Sequence, residues 1–138
     1  MSNYYFDTSI WIDILENRKD FSGKAIGKYG RELLTVIIIN SHVVVVSDET
    51  SKELSDYCGS FMVNALLTNL GKNILKVVFT DSEKKEALRT SQERNVPFGD
   101  ALHAIIARDT SSVLIARDNH FNLLDDVCPH FKPEDLLK

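Results

Sequence analysis

The sequence predicts a three-layer α/β/α fold with a mostly parallel sheet of four or five strands. Segments typical of strands alternate with one or two segments typical of helices, which is the order that parallel strands require. Four consecutive valines at residues 43–46 are typical of a strand buried on both faces, as in sheets covered by helices. With 138 residues and an ordinary globular composition, we expect a single domain over residues 1–138.

The first strand and the two helices after it precede the valine run. Residues 3–6 form a short aromatic segment typical of a strand. Apolar side chains recur at helical spacing over residues 10–15, with Thr8 or Ser9 as the helix cap. A second helix is predicted over residues 22–39, although three glycines weaken its first half and leave its start open.

The remaining elements are bounded by polar caps, glycine or proline. They are predicted as a helix from the caps at 47–50 to about 57, a helix over 60–70 ended by Gly71, a strand over 74–79, a helix from the capping box Thr80-Asp81-Ser82-Glu83 to about 94, a helix over 100–108, a strand over 113–116, and short helices at about 122–124 and after Pro133.

The charge balance and the cysteines limit the classes of protein that fit. There are 20 acidic and 16 basic side chains, which argues against a histone-like protein that binds nucleic acid by charge alone. Cys58 and Cys128 have no metal-binding or disulfide-framework spacing. The first residues lack the features of a signal peptide, and the apolar stretch at 33–46 is shorter than a membrane span. We therefore expect a cytoplasmic protein with no membrane segment.

Acidic residues recur where open α/β sheets bind ligands, at the carboxyl ends of strands. Asp7 follows the first strand and Asp118 follows the fourth. Glu53 and Asp100 lie on helices that begin near the same edge. Clustered carboxylates repel one another, and a hard cation such as Mg²⁺ or Mn²⁺ neutralises them. The pattern predicts a divalent-metal site at this edge.

Each of these acids also has a structural explanation that the sequence leaves open. Asp7 and Asp100 can cap helices, and Asp118 can lie in a turn. Glu53 can complete a capping box with the polar residues before it. Glu49, one helical turn earlier, is an alternative metal ligand.

Four blocks of sequence, spread over nearly the whole chain, carry a family resemblance. They are Phe6-Asp7-Thr8-Ser9, Ser47 through Lys52-Glu53-Leu54, Gly99-Asp100-Ala101-Leu102-His103-Ala104, and Val113-Leu114-Ile115-Ala116-Arg117-Asp118-Asn119-His120-Phe121. In content and order these blocks resemble the PIN-domain family, which includes the VapC-type toxins and related ribonucleases.

The resemblance implies a PIN-like fold and a metal-dependent endoribonuclease that hydrolyses RNA phosphodiester bonds. Asp7, Glu53, Asp100 and Asp118 match the acidic quartet of the family, which would hold one or two Mg²⁺ or Mn²⁺ ions. Ser9 matches a polar position that supports the first aspartate. The implied partners are an RNA substrate, a second copy in a homodimer and, if the protein is the toxin of a type II pair, an antitoxin protein.

One position departs from the family pattern. Thr or Ser usually stands two residues before the last acid, where this chain has Ala116. The departure favours the alternative of a non-catalytic PIN-like module that binds RNA or a protein. We expect His103 to be structural and His120 to be a packing or hydrogen-bonding residue.

Overall fold

Five parallel strands form one sheet in the computed structural model, which describes residues 1–137. The strands are β1 Asn3–Phe6, β2 Val43–Ser47, β3 Ile74–Val77, β4 Ser112–Ile115 and β5 His130–Phe131. Their order across the sheet is β3-β2-β1-β4-β5, and every neighbouring pair is parallel. The predicted α/β fold is confirmed, with a short fifth strand at the edge that the sequence did not locate.

Six α-helices and three short 3₁₀ helices surround the sheet in the described residues. The α-helices are α1 Thr8–Glu16, α2 Ile26–Ile39, α3 Asp48–Cys58, α4 Ser60–Leu70, α5 Asp81–Arg94 and α6 Phe98–Asp109. The 3₁₀ helices are Gly71–Asn73, Asn119–Leu124 and Pro133–Leu136. Among residues 1–137, none of the helices combines the length and apolarity needed to cross a bilayer.

Successive residues of the central strands point to opposite faces of the sheet and build two hydrophobic cores. Tyr5 and Val45 lie in the core that α5 and α6 cover. Phe6 and Val44 lie in the core that α1 to α4 cover. All four side chains are fully buried, which explains why β2 is a continuous apolar run rather than an alternating one.

The start of α2 differs from the prediction. The helix begins at Ile26, not at residue 22. The carboxylate of Asp20 accepts hydrogen bonds from the backbone N–H groups of Ser22 and Lys24, both at 2.9 Å. Gly23, with φ of 87°, completes this turn. The aspartate thus offers the backbone a turn in place of the first helical turn.

Gly27 allows α2 to pack directly against the end of α1. Its N–H donates to the carbonyl of Arg18 at 3.0 Å. A Cβ at this position would lie 2.3 Å from the backbone oxygen of Asp13, which is closer than any real contact. The glycine that weakens the sequence prediction of α2 is therefore required by the helix pair.

The strand and helix boundaries near the site also differ from the prediction. α6 begins at Phe98 with Pro97 as its N-cap, so the interpretation of Asp100 as a helix cap is wrong. β3 ends at Val77, two residues early, because the N–H of Phe79 donates to the carboxylate of Asp48 at 3.2 Å instead of extending the strand.

Two other elements have the predicted bounds. α4 spans Ser60–Leu70 and ends at Gly71, which has φ of 53°. The N-terminus of α5 carries the predicted capping box. Thr80 Oγ1 accepts from the N–H of Glu83 at 3.1 Å, and Glu83 Oε1 accepts from the N–H of Thr80 at 2.8 Å.

Candidate functional site

The four predicted acids reach the carboxyl edge of the sheet from different elements. Asp7 joins β1 to α1, Glu53 lies on α3, Asp100 is in the first turn of α6, and Asp118 precedes the Asn119–Leu124 helix. Two histidines connect them in pairs. His103 Nε2 lies 2.5 Å from a Glu53 oxygen and 3.8 Å from an Asp7 oxygen. The second histidine, His120, lies between Asp100 and Asp118.

Asp7 occupies the N-cap position of α1, but its side chain makes no capping hydrogen bond. Instead, Ser9 Oγ donates to Asp7 Oδ2 at 2.6 Å. The Asp7 side chain is almost completely buried, with 5% of the residue exposed. The helix-cap explanation therefore does not account for this carboxylate, because it accepts no hydrogen bond from a backbone N–H of α1.

Glu53 is held by two donors through one of its oxygens. Thr8 Oγ1 donates to Oε1 at 2.9 Å, and His103 Nε2 donates to the same atom at 2.5 Å. The capping-box interpretation of Glu53 is wrong, because Ser47 caps α3 by accepting from the N–H of Thr50 at 3.1 Å. Burial raises the pKa of Glu53, but the hydrogen bond and charge of His103 and the hydrogen bond from Thr8 together outweigh it, so the net direction is downward.

Glu49 lies one helical turn before Glu53 on α3, and both side chains face the start of α6. A Cβ on Gly99 would be 3.4 Å from Oε2 of Glu53 and 3.8 Å from Oε2 of Glu49, so both oxygens face the first turn of that helix. Burial and the charge of Glu53 raise the pKa of Glu49. Either glutamate is therefore close enough to the Asp100 turn to contribute an oxygen.

His103 is the centre of a buried polar network that the sequence did not reveal. Its ring is 1% exposed, and Nδ1 is hydrogen-bonded to the hydroxyl of Tyr5 at 2.6 Å. That hydroxyl also contacts Ser47 Oγ at 2.6 Å. Burial lowers the pKa of His103, whereas Tyr5, Glu53 and Asp7 raise it, and the net direction is upward. The sequence signal that could have placed His103 near the site was its position three residues after Asp100, since residues at this spacing lie on the same face of a helix.

Asp100 has the most perturbed carboxyl group of the four. Burial raises its pKa, and the negative charges of Asp7 and Asp118 raise it further, to about 6. Such a shift is the expected result when carboxylates converge without a compensating cation. It also shows that Asp100 lies within electrostatic range of two acids that are distant in sequence.

Asp118 and His120 form a local unit at the surface of the site. The carboxylate of Asp118 caps the 3₁₀ helix by accepting from the N–H of His120 at 2.8 Å. Nδ1 of His120 lies 2.9 Å from Oδ1 of Asp118 and 3.2 Å from Oδ2 of Asp100. The turn interpretation of Asp118 therefore describes its backbone, while the same carboxylate also faces Asp100.

The donor set fits a divalent cation. One ligand atom each from Asp100, Asp118 and His120 lies within 4.8 Å of the others. Carboxylate oxygens are the ligands that Mg²⁺ and Mn²⁺ prefer, and a cation would remove the repulsion that raises the pKa of Asp100. These three residues are thus chemically suited to the predicted ion, whereas Asp7 and Glu53 lie outside this group among the described residues and are linked to each other through His103.

Comparisons with known proteins agree with this architecture. The family model described as PIN domain matches residues 4–127. A comparison with curated proteins found no match.

Three solved structures illustrate the likeness. A chain of a toxin-antitoxin complex from Klebsiella pneumoniae is 16% identical, with a TM-score of 0.66, over 94% of this chain and 97% of that one. A Pyrobaculum aerophilum protein is 15% identical, with a TM-score of 0.58, over 99% and 87%. VapC20 of Mycobacterium tuberculosis, described as a sarcin-ricin loop cleaving toxin, is 25% identical, with a TM-score of 0.60, over 89% and 95%.

Proposed function

The chain belongs to the PIN domain family, and we propose that it is an endoribonuclease that hydrolyses RNA phosphodiester bonds with Mg²⁺ or Mn²⁺. The observation that carries this proposal is that four carboxylates from separate elements lie at one edge of the sheet as two histidine-linked pairs, Asp7 with Glu53 and Asp100 with Asp118. The raised pKa of Asp100 supports it, because perturbed carboxyl groups in a shared site are typical of functional centres.

We infer from the protein's own contacts which carboxylate oxygens are available to a cation. Ser9 engages Oδ2 of Asp7, which leaves Oδ1 without a hydrogen-bond donor among residues 1–137. Thr8 and His103 engage Oε1 of Glu53, which leaves Oε2 directed at the first turn of α6. A divalent cation bound here would lower the pKa of water and neutralise charge on the phosphodiester. The neighbouring donors orient the carboxylates for that task.

The proposal extends to a biological role. We propose that the protein is the toxin of a type II pair, that an antitoxin protein inhibits it, and that it acts in the cytoplasm as a homodimer. Two of the similar solved structures, described as a toxin-antitoxin complex and as a toxin, support the first part. Co-expression with a small reading frame directly upstream tests it, because growth arrest caused by the protein alone should then disappear.

The homodimer has a separate support and a separate test. Phe61 and Met62, at the start of α4, leave 83% and 47% of their surface exposed, and such apolar side chains are typical of interfaces. Light scattering should give twice the chain mass for the wild type and the single chain mass for Phe61→Asp. A wild type that is monomeric at all concentrations would refute the dimer and leave the nuclease untouched.

The nuclease is tested with a panel of structured RNAs in Mg²⁺, in Mn²⁺ and in excess chelator. We expect cleavage that requires the cation and that Asp7→Asn and Asp100→Asn both abolish. Asp126→Asn is the matched control, because the Asp126 carboxylate is paired with Arg94 at the end of α5 and takes no part in the site. Cleavage that survives either site substitution would show that the assigned site is wrong.

The alternative is a non-catalytic PIN-like module that binds RNA or a protein. Ala116 favours it, because the side chain two residues before Asp118 lacks a hydroxyl and is fully buried. In that case the wild type binds RNA in the same panel but never cuts it. RNA cleavage by the Ala116→Thr variant would then show that the wild type lacks only the hydroxyl, whereas no cleavage would indicate that the site serves another purpose.

A further inference from the structure

We propose that His120 is itself a ligand of the divalent cation and makes the site favour Mn²⁺ over Mg²⁺. The inference rests on the metal site of the proposed function and goes beyond it, because the acidic quartet contains no nitrogen donor. It does not depend on RNA being the substrate. The residues that carry it are His120, Asp100 and Asp118, which come from two separate elements at the mouth of the site.

The distances between the three ligand atoms fit one coordination shell. Nδ1 of His120 lies 2.9 Å from an oxygen of Asp118 and 3.2 Å from an oxygen of Asp100. In an octahedral shell with bonds of about 2.1 Å, neighbouring ligand atoms are about 3.0 Å apart and opposite ones about 4.2 Å apart. Both observed distances correspond to neighbouring positions. The imidazole nitrogen therefore lies where a third protein ligand would fit.

The backbone holds the imidazole of His120 in this place. The N–H of His120 donates to the Asp118 carboxylate at 2.8 Å, so the histidine and the aspartate are fixed in one short turn. The next residue, Phe121, is fully buried in the core and anchors the 3₁₀ helix. The His120 side chain itself is 46% exposed, which leaves its ring accessible to a cation entering from solvent.

An ordinary ion pair between one histidine and one carboxylate is the competing explanation of these contacts, and the chain contains such a pair for comparison. Nδ1 of His130 lies 2.7 Å from an oxygen of Asp125, at similar spacing but with a single carboxylate. His120, in contrast, faces two carboxylates that already repel each other across the site. A shared cation explains why His120, Asp100 and Asp118 converge, whereas an ion pair requires only one histidine and one carboxylate.

The identity of the ligands predicts which cation binds best. Mg²⁺ prefers oxygen donors and keeps several of its waters, so one imidazole adds little to its binding. Imidazole suits first-row transition ions, and although Mn²⁺ shares the preference of Mg²⁺ for oxygen donors, it belongs to that series and gains more from a nitrogen donor than Mg²⁺ does. A site of carboxylates plus one histidine should therefore bind Mn²⁺ more tightly than a site of carboxylates alone, with little change for Mg²⁺.

The test measures metal affinity without any substrate. Free Mn²⁺ gives a sharp EPR spectrum that broadens on binding, so a titration gives the Mn²⁺ dissociation constant and displacement by Mg²⁺ gives the second constant. We expect His120→Ala to weaken Mn²⁺ binding by about tenfold or more and to change Mg²⁺ binding by less than about threefold. The control His42→Ala should change neither constant, because His42 directly precedes β2 at the opposite edge of the sheet.

The outcomes separate the inference from the proposed function. If His120→Ala weakens Mn²⁺ and Mg²⁺ equally, or weakens neither, His120 is not a selective ligand and the inference is overturned while the metal site stands. If the wild type binds no divalent cation, both the metal site and the inference are wrong. Circular dichroism of each variant checks that it is folded, and the 46% exposure of the His120 side chain means that its truncation removes little buried surface.

Discussion

Replacing Asp100 by asparagine should stabilise the metal-free protein while removing its response to metal. In the folded chain, burial and the charges of Asp7 and Asp118 raise the pKa of Asp100 from 3.8 to about 6. A carboxyl group whose folded pKa lies above its unfolded pKa disfavours folding once it ionises. The free energy of unfolding of the wild type therefore decreases as the pH rises from about 4 to about 6.

The size of the effect follows from the shift. A difference of about two pKa units corresponds to about 3 kcal/mol. The first turn of α6 offsets part of this, since a negative charge at a helix N-terminus contributes about 0.3–1 kcal/mol. We expect metal-free Asp100→Asn to be more stable than the wild type by about 2 kcal/mol at pH 7.5, or about 6 °C in Tm, and equally stable near pH 4.

Urea and thermal unfolding at both pH values, with chelator and with saturating Mn²⁺, check the prediction. Mn²⁺ at about 100 times its Kd should stabilise the wild type by about 2.7 kcal/mol and reverse the order of the two proteins. Asp126→Asn is the control: Arg94 lowers the pKa of Asp126, so this variant should be slightly destabilised with or without metal. Metal-free Asp100→Asn that is less stable than the wild type at pH 7.5 would refute the reasoning.

Three further substitutions test other contacts. Burial raises the pKa of Glu134, but hydrogen bonds from Arg117 and Lys24 lower it to about 2. Glu134→Gln should therefore lower the free energy of unfolding by about 3 kcal/mol at pH 7 and by about half as much at pH 3. An equal loss at both pH values would contradict this. His103→Phe leaves the buried Tyr5 hydroxyl and Glu53 Oε1 without their histidine partner and should lower the free energy of unfolding, measured in urea, by about 2–4 kcal/mol. An unchanged urea midpoint would show that the network does not stabilise the fold. Gly27→Ala pushes a Cβ against the carbonyl of Asp13 and should lower stability by about 1–3 kcal/mol or more in thermal melts; a neutral result would mean that α1 and α2 separate freely.

Local sequence patterns determined most of the fold. The valines at 43–46 predict a strand buried on both faces, and β2 is buried by helices on both sides. The capping box at Thr80 and Glu83 fixed the start of α5, because both of its hydrogen bonds lie within four residues. Patterns of this range depend only on neighbouring residues, so a sequence is enough to recognise them.

Boundaries that depend on one distant or competing side chain could not be predicted. Asp20 replaces the first turn of α2 with a turn of its own. Asp48 ends β3 by accepting from the N–H of Phe79, a contact across 31 positions. In both cases a carboxylate outside the element competes for backbone donors, and periodicity carries no signal of that competition.

The sequence by itself indicated that Asp7 and Asp118 follow strands of a parallel sheet, that Glu53 and Asp100 lie on helices that begin near the same edge, and therefore that the four acids share that edge. Only the tertiary structure decided how they are used. Whether Asp7 caps a helix, or whether Glu53 completes a capping box, depends on donors that other segments bring, such as His103 from α6. The role of His120 depends on Asp100, twenty positions away. Side-chain orientation is set by burial and by partners remote in sequence, and these exist only once the sheet has brought the segments together.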